Sequence, residues 1–469
     1  MDLEAALAEE LHSLLSPGAP QVARGPGGAS SHALAGPVRG PTHGFLLGTP
    51  FVGLDGPGEA VRDRKWILLQ NNCYEKAPFL SEYLKDKFGP SWEPKDIMHV
   101  GLDEWEDSHV LMSGPPCQHN TFIGARGGLF DADRSDPFFR LLEAAQELDR
   151  RGKLLVLCIE NSPAILMPYK GPNYFMALQS WWSERMPHWT PLEVWRLDAN
   201  QCGRPLNRNR VFLLACPKRF AEICMSQKLQ QEAELCHATP FMRPTPEAPV
   251  RLEDFVDGSL PGFAFDDMTD KMQQNAFAWR DIFEKKLVAQ REAGERVSQV
   301  GTVDLSRCPT NTFKAYITMD ACMSLTTKNC YLAMFGASGS SVPLEGRFLS
   351  PKERAGIMGF KYESIERYFS PRQLNVAIGN AICVPVARKV LDSIVAELTV
   401  FDDWISRLRA PMLSIFDNAS DTESDKEDSV GSKKQSDTES DLEEGVEREF
   451  AARAVYPAGV PRPALRISF

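Results

Sequence analysis

Between about residues 45 and 216, short apolar runs alternate with stretches of helical periodicity, and few folds satisfy that rhythm. Trp66-Ile67-Leu68-Leu69, Val110-Leu111-Met112, Leu154–Ile159 and Val211–Ala215 read as buried strands of the parallel kind. Between them, Ala77–Phe88 and Phe138–Arg151 carry helix-like patterns. The repetition predicts an α/β, doubly wound sheet. In such sheets ligands bind beyond the carboxyl ends of the strands.

Residues 217–345 lose the alternation. They hold prolines, a helical pattern from Asp266 to Ala293 and loop-like stretches such as Gly336–Gly346, as expected of a second, smaller, irregular domain. The α/β pattern resumes with Pro351–Met358 and a long helix from about Val384 to Arg409. At the amino end, Leu3, Leu7, Leu11 and Leu14 mark an amphipathic helix stopped by Ser16-Pro17-Gly18, and residues 17–44 have linker composition. The expected divisions are therefore 1–44, 45–216, 217–345, 346–410 and 411–469.

The 469 residues suffice for at least one large core, and 43% hydrophobic with 25% charged content is that of a globular protein. No apolar run approaches the roughly 20 residues of a membrane span, and the amino terminus lacks the pattern of a secretory signal. The eleven cysteines form no C-x-x-C pair, and no cluster has zinc-ligand spacing, so no metal is expected. Cys158, Cys216 and Cys383 sit in apolar runs and read as small buried hydrophobes. Of the net charge of −11, the segment Asp417–Glu449, with 13 acidic and 4 basic residues, carries −9. The remainder is −2, compatible with a basic cleft. The tail repeats Ser-Asp-Thr-Glu-Ser-Asp at Ser420–Asp425 and Ser436–Asp441 and has the composition of a solvated, disordered segment. Its alternative is a stretch for phosphorylation or regulatory partners.

The chemistry concentrates at three strand ends. Gly114-Pro115-Pro116-Cys117-Gln118 follows Val110–Met112 directly, and two prolines stiffen the loop that carries the thiol. Glu160-Asn161 ends the run Leu154–Ile159. A carboxylate buried there would be desolvated and suited to protonating or hydrogen-bonding a ring nitrogen. Arg208 and Arg210, in Pro205-Leu206-Asn207-Arg208-Asn209-Arg210, would point to one side of an extended segment and bind a carboxylate, phosphate or base carbonyl. Taken singly, each has an ordinary structural explanation.

In order, P-P-C-Q, E-N and R-x-R before a strand resemble the cytosine carbon-5 methyltransferase family. Thr121–Phe139, with Gly124, Gly128, Asp131 and Arg134, follows the pattern of that family after the cysteine. Arg347–Arg354 with Met358-Gly359-Phe360 resembles its R-x-L-[ST]-x-R-E block. Gln373 with Gly379–Val386 resembles its G-N-A-V-x-V-P-V block. The ordered set spans residues 51–390 and is far more specific than any one match.

The resemblance implies a Rossmann-like, S-adenosylmethionine-dependent methyltransferase with a mixed sheet, and a target-recognition domain at 217–345. By it, Cys117 attacks C6 of a cytosine flipped out of double-stranded DNA, Glu160 contacts N3, and Arg208 and Arg210 hold the base or orient Glu160. Phe51-Val52-Gly53-Leu54-Asp55-Gly56 resembles the glycine turn of the family for S-adenosylmethionine, with Asp55 where the family has glycine. Phe51, Gly53 and Gly56 would approach the cofactor, Asn72 would take the place of its acidic ribose ligand, and Asp103 would contact adenine. Pro116 and Asn380 would line the pocket. Leu206 stands where the family usually has glutamine. A DNA substrate would place the protein in the nucleus. Two other readings stay open: an RNA cytosine-5 methyltransferase of the same family, and a catalytically silent DNA- or chromatin-binding relative.

Overall fold

The computed structural model describes residues 44–64, 67–116, 132–167, 174–229, 239–248, 250–257, 268–298, 300–306, 309, 317–327, 331–335 and 345–420. The expected helix at 2–15, Cys117 and the acidic repeats beyond Ser420 lie outside the described residues. The first half runs β1 (Phe45–Gly48), α1 (Gly56–Val61), β2 (Ile67–Asn71), α2 (Ser81–Phe88), β3 (Val110–Ser113), α3 (Ala132–Arg150), β4 (Val156–Asn161) and α4 (Tyr174–Arg185). There follow β5 (Glu193–Asp198), β6 (Leu206–Asn207), β7 (Asn209–Ala215) and α5 (Lys218–Leu229). Six of these strands form one sheet in the order β2-β1-β3-β4-β7-β5.

The sheet is mixed and wrapped on both faces. β2, β1, β3 and β4 pair in parallel, whereas β7 is antiparallel to both β4 and β5. This corrects the expectation of a parallel strand at Val211–Ala215. β5 and β7 are joined by residues 199–208, which carry a short 3-10 turn and β6 rather than a crossover helix, so the chain must return antiparallel. β5 itself escaped the sequence reading because its inward and outward residues mix instead of forming an apolar run.

Alternate residues of each strand enter different cores. Leu47, Val110, Met112, Val156, Cys158, Phe212 and Leu214 face one core, filled from α2 by Tyr83 and Leu84 and from α5 by Phe220. Leu111, Leu157, Ile159, Leu213 and Ala215 face the other, filled by Leu141, Leu142, Ala145 and Leu148 of α3 and Trp182 of α4. As expected, Cys158, Cys216 and Cys383 are buried; burial pushes each thiol up and keeps it protonated.

The second half opens with α6 (Asp270–Glu292), then β8 (Val300–Asp304), β9 (Thr318–Met319), β10 (Cys322–Met323), β11 (Tyr331–Phe335) and β12 (Glu345–Phe348). β12-β11-β8-β9 form an antiparallel sheet, and β10 pairs with β6. Trp279, Phe283 and Leu287 of α6 pack on Val303 and Leu332 of this sheet in a core of their own. The chain then returns through α7 (Pro351–Met358), α8 (Pro371–Asn380) and α9 (Val384–Ser420). Val390, Leu391, Ile394 and Leu398 of α9 join the first core of the large sheet. The stretch Pro371–Asp402 is apolar and long enough to span a membrane by composition, yet 61% of that window is buried in the protein. Arg388, Lys389 and Asp392 interrupt it, so it presents no unbroken apolar run in the sequence. A second unit, Ser414–Phe469, is described only as far as Ser420.

The return into α7 rests on a buried ion pair. Ser350 caps the helix and exchanges hydrogen bonds with Glu353 in a capping box. The guanidinium of Arg347 makes two contacts with Glu353, which also accepts from the backbone of Asp257 at 2.9 Å. Burial alone would raise the carboxyl, but Arg347 and the amides of Ser350 and Asp257 outweigh it and hold it below its ordinary range. A carboxyl lowered on folding adds stability above its unfolded value of about 4.3, and that stability is lost as pH falls through the folded value. Glu353→Gln is expected to cost about 3–5 kcal/mol near neutrality by leaving Arg347 unpaired. Urea titrations should show the gap to wild type shrinking on acidification below about pH 4.

Candidate active site

The antiparallel setting of β7 assembles the polar cluster. Because β7 starts where β4 ends, Asn161 lies opposite Val211, and Arg210 comes beside Glu160. The Nε of Arg210 stands 2.8 Å from Oε1 of Glu160. The carboxylate is only 7% exposed, so the sequence expectation of burial is met, with a guanidinium as neighbour rather than an apolar wall. A Cβ on Gly114 would stand 3.2 Å from Oε2 of Glu160, which sets the carboxylate against the loop that leads through buried Pro115 and half-buried Pro116 toward Cys117. Ser113 anchors that loop by donating to the carbonyl of Pro50 at 3.2 Å.

Arg208 parts from Arg210. It precedes β7 at an irregular step after β6, so the two side chains do not share a side. Its guanidinium, in a residue 4% exposed, donates to the carbonyls of Leu325 (2.7 Å), Gly379 (3.1 Å) and Ala381 (2.9 Å). It therefore ties backbone together, while Glu160 takes Arg210. The three carbonyls belong to the segment after β10, to the last turn of α8 and to the link between α8 and α9. That link places Ile382 against two glycines at once. A Cβ on Gly56 would meet the Ile382 carbonyl at 2.3 Å, and one on Gly114 would lie 3.2 Å from Cδ1 of Ile382. The absent Cβ of Gly56 thus makes room for protein backbone.

The turn after β1 is left-handed at alternate residues: Phe51 (φ 58°), Gly53 (φ 52°) and Asp55 (φ 54°). A side chain in that region costs about 1–2 kcal/mol, less for Asp and Asn. Asp55 offsets this by capping α1: its Oδ1 accepts from Gly58 N at 2.9 Å and from Gln70 Nε2 at 2.7 Å. The turn runs beside the extension of β2, with Val52 N donating to Tyr74 O at 3.1 Å and Gly53 N to Glu75 Oε2 at 3.1 Å. Among the described residues, and its own chain neighbours apart, no heavy atom lies within 4 Å of where a Cβ on Gly53 would stand. This open backbone, half-buried Phe51 and the adjacent carboxylate suit a small cationic ligand bearing hydroxyls.

Other expected residues are placed differently. The amide of Asn72 is taken up by the protein: Nδ2 donates to Glu106 O and Ser108 Oγ, both at 2.8 Å, and Oδ1 accepts from Glu106 N at 2.9 Å. Asp103 sits exposed on the loop before β3, and Asn380 is exposed at the end of α8. Sequence reading missed Glu75, whose signal was an acidic residue three positions after Asn72. It also passed over Asn161. That side chain is fully buried, its Oδ1 accepts from Ser162 N at 2.9 Å, and its Nδ2 has no partner among the described residues.

The family model for C-5 cytosine-specific DNA methylase matches residues 73–396, so the turn itself precedes the matched region. The type II methyltransferase M.Bsp6I of Bacillus sp. (strain RFL6) is 24% identical over 308 residues, which cover 64% of this chain and 82% of that enzyme. Among solved structures, the Dnmt2 methyltransferase of S. pombe has 16% identity and a TM-score of 0.47, over 75% of this chain and 98% of its own. The Entamoeba histolytica methyltransferase EhMeth has 13% identity and a TM-score of 0.48, over 77% of this chain and 99% of its own.

The geometry of Arg208 makes a stability prediction. An ammonium cannot span three carbonyls in a planar fork, so Arg208→Lys should lower the unfolding free energy by about 1.5–3 kcal/mol. A denaturant midpoint equal to that of wild type would contradict the clamp.

Proposed function

Because the chain belongs to the C-5 cytosine-specific DNA methylase family, whose methyl donor is S-adenosylmethionine, we propose that it methylates C5 of cytosine in double-stranded DNA through a covalent bond to Cys117. The observation that carries this reading is the Glu160–Arg210 pair at the carboxyl end of β4, packed against Gly114, three residues before that thiol.

When bound, S-adenosylmethionine supplies an electrophilic methyl group. The turn at Phe51 and Gly53, with Glu75, Pro116 and Asn380, would hold it. Cys117, as thiolate, adds to C6 of a cytosine that has left the stack at a cost of a few kcal/mol. The bonding electrons of C5–C6 then serve C5 as a nucleophile. Glu160, held by Arg210, meets N3 with a hydrogen bond that stabilises charge gathering in the ring. After methyl transfer, C5 gives up its proton to a base, the sulfur leaves C6, and the double bond returns. Residues 217–345, where α6 and the antiparallel sheet share a small core, would read the target sequence. Nuclear residence belongs to the same proposal, following from the substrate.

A duplex carrying 5-fluorocytosine cannot lose a C5 proton, so the protein should be trapped on it in the presence of S-adenosylmethionine, with the crosslink at Cys117. Cys117→Ser should abolish the adduct, and Arg210→Met should lower kcat about 10²-fold. Absence of a crosslink on that sulfur would refute the mechanism. An RNA strand of the same sequence trapped in preference to DNA would overturn the DNA assignment.

A further inference from the structure

Resting on the cofactor reading above, we propose that Asp55 and Lys87 are positioning residues for the S-adenosylmethionine turn, an ion-paired support in which Lys87 is required only because Asp55 brings a buried carboxylate into a left-handed step of that turn. Asp55 is 0% exposed, and its Oδ2 lies 2.7 Å from Nζ of Lys87, a side chain 16% exposed. The same ammonium stands 2.9 Å from Oε1 of Glu59 in α1. Burial alone would lower the lysine, but Asp55, the Tyr83 phenol and Glu59 outweigh it and keep the ammonium charged. Tyr83, one turn earlier on α2, donates to the Leu54 carbonyl at 3.2 Å, so α2 grips the turn at two successive residues.

The surroundings are fitted to this carboxylate. A Cβ on Gly58 would fall 2.0 Å from Oδ2 of Asp55 and 2.5 Å from Oε1 of Gln70, so only glycine admits the carboxylate there. Gln70 itself donates to both Asp55 and Thr49, tying the two ends of the turn. Glycine at position 55 would take the left-handed backbone unaided. Aspartate takes it only with its charge answered, because an unpaired carboxylate in that site is costly. Displacing Asp55 shifts Gly53, two residues away, and with it the amide–Glu75 contact. Glu160 and Arg210 lie on β4 and β7 and do not share this support.

Calorimetric titration of the full chain with S-adenosylmethionine, without nucleic acid, tests the idea, with thermal melting as a fold check. Lys87→Met is expected to weaken binding about 10–100-fold, the range for breaking an interaction worth one to two factors of ten. At saturating cofactor, kcat on a cytosine duplex should fall far less than KM for the cofactor rises. Lys87→Arg should recover part of the affinity. The double variant Asp55→Gly with Lys87→Met should bind within about threefold of Asp55→Gly alone, since coupled residues lose their mutual interaction together. Two results overturn the proposal while leaving the methyltransferase reading intact. One is wild-type affinity in Lys87→Met; the other is a loss on Lys87→Met that is equal whether Asp55 is present or already replaced by glycine. If Lys87→Met does not fold, a folded, binding double variant supports the proposal and an unfolded one overturns it. A wild-type chain that takes no cofactor overturns both readings.

Discussion

The site depends on one buried guanidinium that ties distant backbone together. Arg208 gathers the carbonyls of Leu325, Gly379 and Ala381, and so brings a segment far down the chain onto the carboxyl edge of the main sheet. Carbonyls at such a depth need donors, and a planar fork with several N–H groups meets them where a single ammonium would not. Once the link between α8 and α9 is seated, Ile382 falls between Gly56 and Gly114. Three pieces from different parts of the sequence then share one contact: the turn after β1, the loop after β3 and the entry to α9.

Buried charge elsewhere follows the same logic. Arg347–Glu353 fixes the chain as it comes back from the small antiparallel sheet, and Asp55–Lys87 fixes the turn beside β1. Each pair is surrounded by further donors and acceptors, which is the condition under which a desolvated ion pair can be kept. Each also sits where the backbone must be irregular: a helix start in one case, a left-handed residue in the other. Glu160–Arg210 differs in its neighbours. It lies at the mouth of the sheet beside a glycine and near an amide without a partner among the described residues.

Much of this was legible beforehand. Continuous apolar runs located β2, β3, β4 and β7 to within two residues; β3 and β4 are buried throughout, and strands covered on both faces read as such runs. The helices α2, α3, α6 and α9 followed from helix-like patterns. Two strands of the large sheet were missed because neither presents a long apolar run. β1 is four residues long, and β5 alternates. The left-handed turn could be suspected from Gly53, but nothing local announced that Asp55 would share its conformation.

The order of residue types along the chain determined the alternating α/β architecture and the family, and singled out candidate side chains for the chemistry. Local sequence carries that information because strand burial and motif spacing are short-range properties. Tertiary structure alone decided which of those side chains meet. Glu160 finds Arg210 because β7 runs antiparallel, a consequence of a short connection after β5. Arg208, two residues away, is claimed by carbonyls more than a hundred residues later. Asn72 is consumed by the loop before β3, while Glu75 reaches the turn. A side chain bonds to what the packed fold sets within about 3 Å of it, and no stretch of sequence specifies that distance on its own.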